Sequence, residues 1–358
     1  MNSQTILIVA GGTGGHIFPA LAVAEILQAQ GVRIVWCGTE RGLENTLVTK
    51  RFPLEIIQVQ ALRGKGLMRW LLLPWQLMRS VLQSVCLIHK IKPQLILAMG
   101  GYAAGPVGIA AFLKRIPLVV HEQNTIPGLT NRLLSKWAKQ TLQAFPNSFH
   151  SAKVKTVGNP VRTDIIAIVP PEKRLPLAEE PLRILILGGS QGAHFINETM
   201  LMAWPSMASE KIVFKHQTGV QDFQMVQRFY QEHAVAAEVN MFIEDMAAAY
   251  AWADLVIARA GALTISELAA VGIASILIPF PFAVDDHQLH NARVLAEVGA
   301  AIIMCQQDFD LTKFTAMLKK FATQRALLLE MAQKARQLAS PTAAQQVADV
   351  CLHLIQGK

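Results

Sequence analysis

The stretch LIVAGGTGGHIFPALAVAEIL, Leu7 to Leu27, decides how the rest of the chain is read. Apolar residues run into Gly11-Gly12-Thr13-Gly14-Gly15, His16 follows, and a helical pattern begins. A strand, a glycine turn and a helix in that order open a parallel α/β domain. The same succession returns in ILAMGGYAAGPVGIAAF, Ile96 to Phe112, and in ILILGGSQGAHFINETM, Ile184 to Met200. Glycine lets a backbone approach a ligand closely, and the helix start behind it offers N–H donors and a positive dipole end. Each loop is therefore a candidate anion cradle.

Outward from these loops, short Ile/Leu/Val runs alternate with helical patterns. TILIVA, RIVWCG, LEIIQV, LILAMG, PLVVHE and VKTVG do so up to about residue 160; RILILGGS, IVFKHQ, DLVIA, ASILIPF and AAIIM follow. Continuous apolar runs point to parallel strands buried on both faces. The fold class expected is α/β, with two doubly wound Rossmann-like domains. The proline-rich stretch Val161 to Pro181 reads as the linker. Ser340-Pro341 reads as the N-cap and first turn of a last, separate helix, Thr342 to Leu354.

Composition narrows the function. The chain has 358 residues and is 52% hydrophobic, yet no apolar run reaches the ~20 residues of a membrane span. Met1-Asn-Ser-Gln lacks the charged start of an export signal, so the first apolar run reads as a strand. Cys37, Cys86, Cys305 and Cys351 form no CxxC pair, which suits a reducing cytosol and argues against disulfides or a zinc site. Residues 1–160 carry 17 Lys and Arg against 5 Asp and Glu, whereas 161–358 carry 16 against 20. The first half thus expects an anionic partner: phosphate, anionic lipid or nucleic acid.

A dinucleotide fingerprint fails. Gly12 and Gly14 supply G-x-G, but Ile17 occupies the third glycine position, and the acid after the second strand is displaced to Glu40. That disfavours a nicotinamide oxidoreductase, and no P-loop follows any of the glycine runs. Asp308-Phe309-Asp310, the sole D-x-D, reads as a helix cap, and His287 with His290 as an exposed helix face, so no metal is expected. A nucleic-acid binder would leave the second half unexplained.

That second half contains RAGALTISELAAVGIASILIPFPFAVDDHQLHNA, Arg259 to Ala292. Gly261 to Thr264 open a helix straight after a strand, and their amides suit a diphosphate. Glu267 follows about one and a half turns on, where a carboxylate can accept from a ribose diol. Gln288 and Asn291, three residues apart after Asp285-Asp286, share a helix face, and amides suit sugar hydroxyls.

Taken in order, GGTGGHIFPALAVA, GGYAAGP, HEQN (121–124), VGNPVR (157–162), GGSQGA (188–193), EDMAAAYAWADLVIARAGALTISE (244–267) and DDHQLHNA (285–292) resemble one family. It is that of the undecaprenyldiphospho-muramoylpentapeptide β-N-acetylglucosaminyltransferases. The resemblance implies a GT-B fold, two domains facing across a cleft: residues 1–162 for acceptor and membrane, 163–340 for UDP-GlcNAc, and 341–358 as a helix returning to the first. It implies transfer of GlcNAc from UDP-GlcNAc, with inversion, to the MurNAc C4 hydroxyl of lipid I, giving lipid II and UDP. A different lipid glycosyltransferase or a UDP-sugar epimerase of the same fold is the nearer rival.

The resemblance carries roles residue by residue. The donor pattern falls on Thr13, Gly14, Gly15, Asn124, Arg162, Ser190, Ile243, Ala262, Leu263, Thr264, Ile265, Ser266, Glu267 and Gln288, with Asn291 beside them. Ser190 and the amides of residues 262–264 would face the diphosphate, Ile243 the uracil, and Asn124 with Gln288 the GlcNAc hydroxyls. Gly12, Gly14, Gly15, Gly100, Gly101 and Tyr102 would cradle the acceptor diphosphate. His16 is the first choice of base, since histidines are mostly neutral at cellular pH and able to accept. Glu122 is the alternative, and His16 would then only orient the acceptor. No cofactor or nucleic acid is implied. The protein would lie on the cytoplasmic face of the bacterial plasma membrane, with cell-wall or division proteins as further partners.

The residues themselves suggest where the membrane would be met. Arg69, Trp70, Leu71, Leu72, Trp75 and Arg79 mix apolar, aromatic and basic side chains, as do Phe112 to Arg115 and Lys136-Trp137-Ala138-Lys139. Leu82 to Ile91 reads instead as a core-facing stretch.

Overall fold

A computed structural model of the chain describes residues 4–40, 42–59, 67–151, 153–175, 180–189 and 192–357, with backbone alone at 67–73 and 284. The chain divides into two compact units, 1–162 with 340–358, and 163–339.

The first unit is built on seven parallel strands in the order β3-β2-β1-β4-β5-β6-β7. They are β1 (Thr5–Val9), β2 (Arg33–Gly38), β3 (Leu54–Ile56), β4 (Leu95–Ala98), β5 (Leu118–Glu122), β6 (Gln140–Gln143) and β7 (Val154–Thr156). Strand β1 shows why the run TILIV folds this way: all five residues are buried. Ile6 and Ile8 enter one core with the helix Gly14–Ala29 and the C-terminal helix Ala343–Gln356. Leu7 and Val9 enter the opposite core with the helix Ala104–Leu113 and the end of the long helix Leu67–Ile91. Burial of each such side chain contributes about 1.5–3 kcal/mol, so both sheet faces must be covered.

The second unit carries six parallel strands in the order β10-β9-β8-β11-β12-β13. These are β8 (Leu182–Leu187), β9 (Ile212–Gln217), β10 (Ala237–Asn240), β11 (Leu255–Ala258), β12 (Ala274–Leu277) and β13 (Ala301–Ile303). In both sheets the winding direction reverses at the centre, between β1 and β4 and between β8 and β11.

Three expectations change. QTLQ and AEVN form β6 and β10, which the apolar runs did not announce because each is short and mostly polar. The stretch after Val161 is not a bare linker: Thr163–Ile166 and Pro171–Arg174 are helical turns that pack within the second unit, and Arg174 donates to the carbonyls of Ala253 and Gly272 at 2.6 and 2.8 Å. The final helix has Thr342 rather than Ser340 at its N-cap position, with no capping side-chain bond, and runs to Gln356. Ser340 instead packs against Gly158, whose Cα leaves no room for a side chain there.

The C-terminal helix buries Val347, Ala348 and Cys351 against the helix Gly14–Ala29. Val347→Asp should therefore lower the stability of the first unit by about 3 kcal/mol or more, since a carboxylate would enter an apolar core. Urea unfolding followed by intrinsic fluorescence checks this; an unchanged first transition would refute it.

Candidate functional site

Parallel sheets bind ligands beyond the carboxyl ends of their strands, where the winding reverses. In the first unit the loops leaving β1 and β4 are the first and second glycine runs. In the second unit the loops leaving β8 and β11 are GGSQGA and the start of GALTISE. The motifs of the sequence thus fall at the crossover of each sheet.

In the first unit the two loops touch. A Cβ on Gly101 would lie 2.5 Å from the carbonyl oxygen of Gly11, and one on Gly100 2.7 Å from Nδ1 of His16. Both glycines also hold positive φ, at 87° and 102°, so no other residue fits either place. Gly14 and Gly15 begin the helix, and their N–H groups precede the first intrahelical bonds. Thr13 is exposed and Gly12, Gly14, Gly15 and His16 are half-buried, so the loop is open to solvent. Tyr102 is exposed beside it.

Two buried carboxylates hold this backbone. Glu44 accepts from the Gly12 N–H at 3.0 Å and from the backbone and hydroxyl of Thr39 at 2.7 and 2.9 Å. Glu122 accepts from Asn124 N and Nδ2 on one oxygen, at 2.9 and 3.1 Å. Its other oxygen takes Gly128 N and Asn131 Nδ2 at 3.1 and 2.9 Å. Glu122 is 1% exposed. Four donors on two oxygens tie it into the turn through Asn124 and fill its acceptor positions. Asn124 is half-buried, and the Arg162 guanidinium lies over the Phe18 ring at 4.8 Å.

His16 is oriented from behind. Its Nδ1 lies 3.1 Å from Gln123 Oε1, while Gln123 Nε2 donates to the Met99 carbonyl at 2.7 Å. Below them His121 is fully buried, with Nε2 3.0 Å from the Gly158 carbonyl oxygen.

In the second unit Ser190 lies outside the described residues. The loop around it is tied by Gln217 Nε2, which donates to the Gly189 carbonyl at 2.8 Å, and it leads into the helix His194–Met207. The helix Ala262–Val271 starts at Gly261, which offers no capping side chain, so the Leu263 and Thr264 amides stand at an uncapped N-terminus. Ile265 faces the core, and the Ser266 hydroxyl donates to the Ala262 carbonyl at 3.0 Å. Glu267 is 6% exposed and accepts from the buried Tyr250 hydroxyl at 3.0 Å. Ile243 is half-buried in the loop between β10 and the helix Met246–Trp252.

Gln288 and Asn291 differ from what their shared helix face suggested. Gln288 Oε1 accepts from Ala260 N and Phe280 N, at 3.2 and 2.9 Å, so its side chain can only donate further. Asn291 is fully buried and donates to the Ala260 carbonyl at 3.3 Å. That bond ties it to the end of β11. Asp285 and Asp286 both adopt left-handed backbone before this helix. Asp310 caps the helix Leu311–Thr323, accepting from Lys313 N at 3.0 Å.

The apolar and basic surface of the first unit is also visible. Trp75, Met78, Phe112, Leu113 and Trp137 are exposed, and the Phe112 and Trp137 rings lie 5.5 Å apart. Arg79, Lys114, Arg115, Lys136 and Lys139 are exposed as well. Leu82, expected in the core, is 58% exposed; Leu87 and Ile88 are buried. Arg69, Trp70, Leu71 and Leu72 lie in the helix Leu67–Ile91, where only the backbone is described. Among the described residues no helix is long and apolar enough to cross a membrane.

Glu44, Gln123 and Tyr250 were not singled out from sequence. Each acts on a partner distant in the chain, which no local pattern marks; Gln123 alone sat inside a quoted motif.

Two family models match the chain: the Glycosyltransferase family 28 N-terminal domain over residues 6–143 and its C-terminal domain over 183–347. A relative from Coxiella burnetii (strain RSA 331 / Henzerling II) is 53% identical, over 97% of each chain. One from Aeromonas hydrophila is 48% identical, over 99% of this chain and 98% of its own. Both are named UDP-N-acetylglucosamine--N-acetylmuramyl-(pentapeptide) pyrophosphoryl-undecaprenol N-acetylglucosamine transferase. The crystal structure of Acinetobacter baumannii MurG is similar with a TM-score of 0.84 and 39% identity, over 99% of this chain and 100% of that one.

Two buried histidines make the fold sensitive to acid. Burial pushes His121 down to about 4 and His216 down to about 3. His216 is neutral with both nitrogens used, Nε2 toward Asn197 Oδ1 and Nδ1 toward the Tyr230 hydroxyl, each at 3.0 Å. The unfolded chain binds these protons from about pH 6.5 downward, so stability is full above that and is lost as the pH falls toward 4 and 3. Each histidine should cost its own unit about 2 kcal/mol between pH 7.5 and 5. Urea titrations at the two pH values read the difference; equal midpoints would contradict it.

Proposed function

The chain belongs to glycosyltransferase family 28, and from that premise we infer that it moves GlcNAc from UDP-GlcNAc to N-acetylmuramyl-(pentapeptide) pyrophosphoryl-undecaprenol in peptidoglycan synthesis. The observation that carries this is whole-chain identity of 48–53% with relatives of that name, both halves together. The crossover loops of each unit supply groups suited to the two substrates.

The donor's diphosphate is assigned to the uncapped start of the helix Ala262–Val271 and to GGSQGA with Ser190. Fixed dipoles there stabilise the charge that grows on UDP as the C1–oxygen bond breaks. Glu267, held by Tyr250, accepts from the ribose hydroxyls, and Gln288 donates to the sugar or phosphate. Ile243 meets the uracil through its backbone. In the first unit the amides of Gly14 and Gly15, with Gly12, Gly100, Gly101 and Tyr102, hold the acceptor's diphosphate, and Thr13, Asn124 and Arg162 border the donor.

His16 takes the proton of the attacking MurNAc C4 hydroxyl on Nε2. The hydroxyl oxygen forms the new bond to C1, and the electron pair of the old bond leaves with UDP, so the anomeric centre inverts. Glu122 takes no part in this transfer, because its four hydrogen bonds fix the turn that presents Asn124.

The basic, aromatic surface around Phe112, Leu113 and Trp137, together with the exposed Trp75 and Arg79, would rest on the anionic membrane that carries the acceptor, on its cytoplasmic face. Each basic residue near such a surface contributes ~1 kcal/mol.

Radiolabelled UDP-GlcNAc should pass its sugar to a lipid I analogue with or without chelator; no transfer would overturn the assignment. His16→Ala should lower kcat at least about 100-fold and erase the acid limb of the pH–rate profile. A loss under about tenfold with that limb intact would remove His16 as base. A Phe112→Ser, Leu113→Ser, Trp137→Ser variant should sediment poorly with phosphatidylglycerol vesicles while keeping its activity on a soluble acceptor. Unchanged sedimentation would refute the membrane surface.

A further inference from the structure

We propose that Gln123 is a positioning residue that fixes the tautomer of His16, keeping the proton on Nδ1 and the lone pair on Nε2. The inference rests on His16 being the base.

The argument starts at the Met99 carbonyl. It can only accept, and the Gln123 amide lies 2.7 Å from it through Nε2. Rotating that amide by half a turn would set oxygen against oxygen in a place where Gln123 is 1% exposed, so the repulsion would cost a buried hydrogen bond. The backbone of Gln123 is held as well, since its carbonyl accepts from Asn159 Nδ2 at 3.0 Å. The amide oxygen therefore points at His16, and at 3.1 Å from an acceptor Nδ1 must carry hydrogen. Gly100 completes the arrangement. Its Cα lies so close that a Cβ would meet Nδ1 and Cε1 at 2.7 and 2.8 Å, so only glycine leaves the ring its place beside Gln123.

Without this partner the imidazole in water favours hydrogen on Nε2, the nitrogen that must accept. Gln123 thus removes the unproductive form before substrate arrives. An amide is also neutral: unlike a carboxylate behind a catalytic histidine, it orients the ring without holding the proton that the ring collects. His16 is left able to give that proton up again after each turnover.

Two measurements test this. In 15N NMR of the whole enzyme with labelled histidine, His16 assigned through His16→Ala should show hydrogen on Nδ1 in its neutral form. Hydrogen on Nε2 overturns the proposal whatever the kinetics. Gln123→Met, close in volume, should lower kcat about 10–100-fold, with KM for UDP-GlcNAc unchanged within about twofold. Gln123→Met should also move the acid limb of the pH–rate profile down, because the protonated ring loses its acceptor at Nδ1. A purely structural role would lower thermal stability and leave both the limb and kcat per folded molecule in place, and that result also overturns it. The two readings fail separately. Full activity in His16→Ala ends the role of His16 as base, whereas a dead His16→Ala beside a Gln123→Met of normal kcat and pH profile ends the role of Gln123 alone.

Discussion

The approach of Gly101 to the carbonyl of Gly11 is the contact on which the first unit's site depends. Two parallel strands that are neighbours but wind in opposite directions send their following loops into the same space. Each loop has to turn sharply into a helix, and neither can carry a side chain where the backbones meet. With the side chains excluded, the surface that remains is made of amides. A backbone amide binds an anion without any loss of side-chain freedom.

Bare backbone of this kind has to be held in shape, and the protein uses buried carboxylates for it. Glu44 gathers Gly12 and Thr39 into one arrangement, and Glu122 gathers Asn124, Gly128 and Asn131. In the second unit amides do similar work: Gln217 ties the GGSQGA loop, and Gln288 joins the backbones of Ala260 and Phe280. Removing one partner from such a network leaves a buried group unsatisfied, at about 1–3 kcal/mol. The residues that support the loops are therefore as constrained as those that face a ligand.

Much of the fold was legible because parallel strands buried on both faces are nearly continuous apolar runs, as TILIV and LVVHE show. QTLQ and AEVN escaped notice since an edge or near-edge strand needs less apolar surface. The helical turn Pro171–Arg174 was hidden by its prolines, which serve there as turn starters. The glycine loops announced themselves, and so did the start of GALTISE. Burial did not. Asn291 and Gln288 share a spacing that fits one exposed face, yet one is sealed in the core and the other has its oxygen occupied. Tyr250 and Gln123 act across gaps of 17 and 107 residues, a separation that no window along the sequence spans.

The return of residues 340–358 to the first unit makes the second unit an insertion within it. During synthesis the ribosome delivers all of residues 163–339 before the helix that covers Ala20, Val23 and Leu27 exists. The second unit can finish folding while the first still shows an open apolar groove, so the order of completion is the reverse of the order of synthesis. Domains usually mature from the N-terminus onward. Here the half that begins first must wait for the helix Ala343–Gln356, and a ribosome that stalls before that helix leaves the first unit with an uncovered apolar face.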